Sequence, residues 1–275
     1  MKKPFTMIAV LWFFIAASPR GQEPNFADII LQTEDAYRPI PVLSSQYPAM
    51  DLHMAYAIQK TYIRKKLSNE TLAGFKAGLT SKKGQKKFGI HAPIAGALFV
   101  SGKLTGEAIV DSAIFYRPMI ETEIGFIVGA SLTRPVKDTA TLKKSIQAIA
   151  PVIELPDLRF ADTKRLTGVD IIAANAAAKQ FIVGHPKPVD TVDPNAVAVV
   201  LLRGEHEINR GKGKDALGDQ WQAVLWLVNT MTGQGWTIQP GQILLTGALG
   251  KMLPGKPGKY LADYGDLGKI TFRIK

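Results

Sequence analysis

A strand-rich α+β fold is what the sequence predicts, on three observations. Residues 25 to 72 carry apolar side chains three and four positions apart. Beyond Gly74, short apolar runs follow one another between Gly and Pro residues, and helical stretches interrupt those runs without regular alternation of strand and helix. The 275 residues are 46% apolar and 21% charged, the composition of a chain that buries a core. No internal repeat or low-complexity tract divides them.

The elements follow in order. Lys2-Lys3, the apolar run from Phe5 to Ala17 and the small residues around Ser18 and Gly21 predict a secretory signal peptide over 1–22. The run falls short of the roughly 20 residues that span a bilayer, although an uncleaved anchor is the other reading. The expectation is therefore an exported, periplasmic protein with no stable membrane insertion after cleavage. Residues 23–275 then form a single catalytic-type domain, with a helical front over 25–72 and a β-rich core over 74–275. In the front, Phe26, Ile29, Ile30, Ala36 and Tyr37, then Met50, Met54, Ala57, Ile58, Thr61 and Tyr62, predict two amphipathic helices. Strands are predicted over 96–100, 108–115, 123–128, 150–155, 196–202, 242–246 and 269–274. Helices are predicted over 139–149, 168–179 and 220–233.

The chemistry is bounded first by what is missing. Cys is absent, which excludes disulfides, thiolate catalysis, cysteine zinc sites and iron–sulfur ligation. The four His, at 53, 91, 185 and 206, have no metal spacing, so any metal must be held mostly by oxygen. A net charge of +11 invites a nucleic-acid partner, but the basic segment Thr80 to Lys87 has no aromatic residues on which bases could stack, and none is expected. Gly211-Lys212-Gly213-Lys214 lacks the phosphate-loop spacing and reads as a turn; Glu205-His206-Glu207 reads as a polar hairpin edge. No Gly-x-Ser-x-Gly nucleophile elbow occurs.

The sharpest local signal is Ile120-Glu121-Thr122-Glu123-Ile124. On a strand Glu121 and Glu123 share one face, opposite Ile120, Ile124 and Phe126, and a second apolar run, Pro151-Val152-Ile153, ends in Glu154. Spacing alone favours a strand face turned to water. Three carboxylates on adjacent buried strands would instead repel one another unless a cation sat among them, and oxygen-only ligation selects magnesium, manganese or calcium.

Taken in order, several segments resemble one family. Ala55-Tyr56-Ala57-Ile58-Gln59, Gly74-Phe75-Lys76-Ala77-Gly78-Leu79-Thr80-Ser81, Glu121-Thr122-Glu123-Ile124, Pro151 to Arg159 and Leu244-Leu245-Thr246-Gly247 are similar to the 2-keto-4-pentenoate hydratase and 4-oxalocrotonate decarboxylase group of the fumarylacetoacetate hydrolase superfamily. The likeness runs from about residue 50 to the C-terminus. It implies a mixed β-barrel or roll with flanking helices, and a divalent cation, Mg2+ or Mn2+, on Glu121, Glu123 and Glu154. It also implies a lyase acting on small 2-oxo or 2-hydroxydienoic acids, hydratase in type, and assembly as a homo-oligomer. Lys76 is then the residue to orient the substrate carboxylate or pass a proton, with Arg159 and Asn175 as further catalytic candidates; Arg159 is equally readable as a buried partner of Asp157. Two departures count against ordinary hydration. Hydratases of the group read Pro-Asp, an aromatic and Gly where this chain reads Pro93-Ile94-Ala95-Gly96, and Ala-Asp-Asn-Ala-Ser where it reads Ala173-Ala174-Asn175-Ala176-Ala177. A decarboxylase, or a protein that binds metal and oxo acid without turnover, stands as the alternative.

Overall fold

The computed structural model describes residues 25–275, so the expected signal peptide lies outside the described residues. The helical front forms α1 (Phe26–Asp35), the single turn α2 (Leu43–Gln46) and α3 (Leu52–Lys66). Asp51 caps α3 by accepting from the Met54 amide at 2.8 Å, satisfying one of the free donors of the first turn. Strands β1 (Leu72–Gly78), β2 (Ile94–Phe99), β3 (Lys103–Thr105), β4 (Ala108–Val110), β5 (Met119–Val128), β6 (Ile146–Leu155) and β7 (Gln180–Val183) follow. Then come β8 (Lys187–Pro188), β9 (Ala198–Arg203), β10 (His206–Lys212), β11 (Ile243–Leu245), β12 (Leu253–Pro254), β13 (Gly258–Asp263) and β14 (Lys269–Ile274). Helices α4 (Lys82–Lys87), α5 (Thr139–Lys143), α6 (Gly168–Ala173) and α7 (Gln220–Gly233) interrupt them.

Two sheets result. The larger runs β2-β1-β11-β5-β6-β7-β3, with β12 joined to β5 and β8 to β6; the smaller runs β10-β9-β13-β14-β4. One face of the large sheet meets the helices: Trp221 of α7 packs edge-on against Phe126 of β5 at 4.9 Å between ring centres. That face belongs to the main core, which also takes in Phe26, Ile30, Tyr62 and Ile63 of the front helices. The other face carries a separate apolar cluster of Val152, Phe181, Val183, Ile243 and Leu245. Gln59 ties the front to the sheet, its side-chain amide donating to the carbonyls of Ala95 at 2.7 Å and Ile172 at 2.9 Å, while Tyr56 accepts from the Ala95 amide. No helix among the described residues is long and apolar enough to cross a membrane.

Helix α7 and strand β14 occupy the spans that the sequence predicts. Four expectations need correction. The strand expected over 108–115 stops at Val110, because Asp111 caps a tight helical turn over Ser112–Ile114 by accepting from the Ala113 amide at 2.9 Å. The helix expected over 139–149 stops at Lys143, because Ile146, Ile149 and Ala150 belong to a mostly buried strand whose apolar residues, broken only by Gln147, imitate helical spacing. The helix expected over 168–179 stops at Ala173, beyond which Asn175, Ala176 and Ala177 all turn left-handed, with φ of 53°, 53° and 57°. The helical front ends before Leu72, where β1 begins.

Candidate metal and oxo-acid site

Antiparallel pairing of β5 with β6 sets Glu121 directly opposite Glu154 and Glu123 opposite Val152, so all three carboxylates rise from the face that carries the second apolar cluster. Each offers an oxygen within 4.8 Å of the others, a span that one hard cation with bonds of about 2.0–2.6 Å can bridge. Glu123 and Glu154 are wholly buried, and Glu121 keeps part of its surface open.

The fourth member arrives from β1. Lys76 pairs with Leu245 of β11, and Leu245 with Gly125 of β5, which places Lys76 on the same sheet face as the glutamates. Its ammonium lies 2.6 Å from Glu154 Oε1 and donates to the Ala176 carbonyl at 3.3 Å. Burial alone would lower the Lys76 pKa, but Glu154, Glu121 and Glu123 outweigh it and hold the ammonium above the ordinary lysine range.

The carboxylates are strained electrostatically in the opposite sense. Burial, then the neighbouring Glu154 and Glu121, push Glu123 well above the usual carboxylate range. Burial pushes Glu121 up to about 7, with Lys76 opposing and Glu154 adding to the rise. Glu123 Oε2 accepts from the Gly247 amide at 2.9 Å, whereas among the described residues Glu123 Oε1 and both Glu154 oxygens find no aligned hydrogen-bond donor; the Lys76 contact is a close ion pair. Buried carboxylate oxygens without donors cost several kcal/mol each in general, and aimed at a common point they fit a divalent cation. The three carboxylates, Lys76 and a +2 ion together reach neutrality.

Linkage gives the pH dependence a sign. Because Glu121 titrates near 7 in the folded state against an ordinary 4.5, its contribution to the stability of the metal-free protein is complete below about 4.5 and is lost as pH rises through about 7. A cation must displace the same proton, so manganese affinity is expected to climb up to about tenfold per unit between pH 6 and 7. Calorimetry at pH 6, 7 and 8 in buffers of different ionisation heat checks both affinity and proton release; an affinity flat across that range would contradict it.

The other two sequence candidates lie differently. The Asn175 side chain is spent on the backbone, accepting from the Ala97 amide at 2.7 Å and donating to the Ala97 carbonyl at 2.9 Å. It thereby clamps the left-handed turn to β2, and the turn presents the Ala176 carbonyl to Lys76. Left-handed Ala costs about 1–2 kcal/mol per residue, a strain held in place at the edge of the site. Arg159 pairs with Asp157 at 3.3 Å, donates to the Glu34 carbonyl at 3.0 Å and stacks over Tyr37; none of these contacts joins it to the glutamates. Asp157 also accepts from the Tyr116 and Arg117 amides, so this pair ties α1 to the end of β6.

Sequence reasoning did not single out Gly247 as a site residue. Its φ of +105° and the closeness of Thr80, 2.6 Å from where a Cβ would sit, leave room only for hydrogen, and its amide fixes Glu123. The available signal was a glycine immediately after the apolar run over 242–246. Thr246 beside it donates to the buried Gln220 at 2.6 Å, anchoring the turn to α7.

No protein-family model matches the chain. It is 33% identical over 252 residues to 2-keto-4-pentenoate hydratase 2 of Dechloromonas aromatica (strain RCB), an alignment covering 90% of this chain and 96% of that one. Among solved structures, 4-oxalocrotonate decarboxylase from Pseudomonas putida G7, complexed with magnesium and adipate, superimposes with a TM-score of 0.86 at 26% identity, over 91% of this chain and 96% of that one. Fumarylpyruvate hydrolase from Pseudomonas aeruginosa, in complex with Mn2+ and pyruvate, shares the fold alone, with a TM-score of 0.58 at 12% identity over 73% of this chain and 88% of that one. With its identity to the hydratases spread over nine-tenths of its length, this chain belongs to the 2-keto-4-pentenoate hydratase family, built on the fumarylacetoacetate hydrolase fold.

Proposed function

We propose that the chain is a divalent-metal-dependent lyase acting on 2-oxo and 2-hydroxydienoic acids, hydratase in type. The convergence of Glu121, Glu123, Glu154 and Lys76 on one buried sheet face carries the proposal. The three glutamates would hold Mg2+ or Mn2+. A 2-oxo acid offers a carboxylate and the adjacent carbonyl oxygen, and a cation held by these glutamates would supply Lewis-acid polarisation of that carbonyl. Glu121, on the open side, borders the approach of the acid. The Lys76 ammonium, buried beside Glu154, is placed to hold the substrate carboxylate or to move a proton through Nζ.

A second reading, decarboxylation of an oxo diacid, is supported by the surroundings of Lys76. Its cross-strand partner is Gly96, and Gly78 and Ile94 form the next pair on the same face. Ile94 is 2% exposed and contributes only hydrocarbon. Adding water across a double bond needs a group that positions and deprotonates the water, whereas loss of carbon dioxide needs chiefly the electron sink and one proton afterwards. Purified protein with manganese, given 2-hydroxypenta-2,4-dienoate and separately 4-oxalocrotonate, is expected to consume the first with loss of its dienol absorbance. Release of carbon dioxide from the second alone would establish the decarboxylase. Binding of both without product would leave an oxo-acid binding protein.

Export is part of the same reading, supported by the basic, apolar and small-residue order of residues 1–22; N-terminal sequencing of periplasmic protein tests it. Assembly as a homo-oligomer is supported by the exposed Ile109, Ile114 and Tyr116, close together in the chain, and sedimentation tests it.

A further inference from the structure

We propose that the protein has a second ligand site, away from the glutamates: the cavity between α1, α3, the end of β6 and the left-handed turn after α6 binds a small carboxylate, which Arg159 and Lys179 recognise. The inference is independent of the metal-site reading and concerns side chains that reading leaves unused. Ala174 and Ala177 line the cavity, whereas the Ala176 carbonyl between them accepts from Lys76, so the turn itself separates the two sites.

Charge is the first observation. Glu34, Lys66, Asp157, Arg159 and Lys179 gather here, and four of them are matched. Glu34 takes the Lys66 ammonium at 3.0 Å and the Tyr62 hydroxyl at 2.7 Å; burial would raise its pKa, but these partners outweigh it and hold the carboxylate below its ordinary range. Asp157 pairs with Arg159 at 3.3 Å and accepts from the Tyr116 and Arg117 amides. Lys179 is the fifth. It is half-buried, and its ammonium has neither an ion pair nor a hydrogen bond among the described residues. Burial lowers its pKa, with Glu34 and Asp157 opposing, and an anion beside it would reverse that fall. With Lys179 protonated, the group carries one positive charge too many.

Donors and space give the ligand its class. A guanidinium has five N–H donors, and Arg159 spends three: Nε and Nη2 on Asp157 Oδ2, both at 3.3 Å, and Nη1 on the Glu34 carbonyl at 3.0 Å. One N–H on each of Nη1 and Nη2 therefore has no acceptor among the described residues, on a side chain only 5% exposed. Arginine takes carboxylates through two such groups. The cavity holds about 40 Å³ and opens to solvent, where one water needs about 10–15 Å³, so it admits a head of about three heavy atoms and is tight for phosphate. Ile30, Ile40, Ala174 and Ala177 wall it with hydrocarbon. A carboxylate on a short alkyl group meets the unmatched charge, the two idle donors and the apolar wall together.

The test uses metal-free protein and sodium acetate, with sodium chloride and inorganic phosphate at matched ionic strength as the other arms. In 1H–13C spectra of lysines labelled at Cε, the Lys179 signal, identified by its loss in Lys179→Arg, is expected to shift with acetate and to saturate with a Kd of about 1 mM or weaker, as befits a ligand of four heavy atoms. Its titration midpoint should rise as acetate binds. Acetate should also raise the melting temperature above that in chloride, an effect kept in Lys179→Arg and in Glu123→Gln and weakened at least about tenfold in apparent affinity in Lys179→Met. A Lys179 signal unmoved by acetate would overturn the site, as would an undiminished acetate effect in Lys179→Met. Loss of the effect in Glu123→Gln would place the acid among the glutamates instead, and an equal response to chloride or phosphate would refute a carboxylate site. Should Lys179→Met not fold, the wild-type spectrum decides alone. No metal enters the experiment, so failure of the metal-site reading leaves its outcome unchanged.

Discussion

Glu123→Gln is expected to lower manganese affinity at least about 100-fold, beyond the 10–100-fold typical of losing a supporting hydrogen bond around a metal, with the fold intact. Glutamine has the same shape, and its carbonyl can keep the bond from the Gly247 amide that Glu123 Oε2 now accepts at 2.9 Å. The other end then presents an NH2 where Glu123 Oε1 lies buried without a partner, putting a donor in place of the lone pair the cation needs. Because burial and the neighbouring carboxylates already push Glu123 far toward its neutral form, replacing it with a neutral amide costs the metal-free protein little, and its melting temperature is expected to hold or rise. The stabilisation that manganese gives the wild type should vanish in the variant. Wild-type manganese affinity in a folded Glu123→Gln protein would show that this carboxylate is not a ligand, and that its orphaned oxygen needs another explanation.

What was legible beforehand depended on whether local pattern and tertiary demand agreed. Helix α7 was legible because Val224, Leu227, Val228 and Met231 repeat at helical spacing and a capping Asp219 precedes them. Strand β14 was legible because Ile270, Phe272 and Ile274 alternate with charged or polar neighbours, as befits a sheet wet on one face. Strand β1 hid because its apolar run is broken by Gly74, Lys76 and Gly78, residues that serve the site and the close strand contact rather than propensity. The run of alanines at 173–178 reads as helix by propensity, yet Asn175 bonds to β2 and forces three left-handed residues, a tertiary override that no local pattern announces. At the site, alternation placed Glu121 and Glu123 together, but the pairing of Glu121 with Glu154 is a register, and register is decided by the whole sheet. Lys76 became visible as a candidate only through family resemblance, because its approach depends on the order β1-β11-β5, in which neighbours in space are far apart in the chain.

Gly74→Ala is expected to destabilise the protein by about 3–5 kcal/mol, the range in which single substitutions become diagnostic of a named clash. Gly74 pairs with Ile243 in the parallel contact between β1 and β11 at a φ of +152°, and an added Cβ would fall 1.8 Å from the Ile243 carbonyl oxygen. Backbone is the obstacle, so no side-chain rotation relieves it; β1 must move away from β11. Gly233→Ala is the matched control: it ends α7, has no positive φ and meets nothing within 4 Å, so the same methyl should stabilise by about 0.4–1 kcal/mol. Urea midpoints measure both, and a Gly74→Ala protein as stable as the wild type would sink the account. The more informative result lies in what the weakened variant still binds when folded in the cold. Glu121, Glu123 and Glu154 stand on β5 and β6, which pair with each other independently of β1, whereas Lys76 is two residues beyond the clash. Manganese binding should therefore outlast lyase turnover, since the displaced strand carries the ammonium and leaves the carboxylates behind.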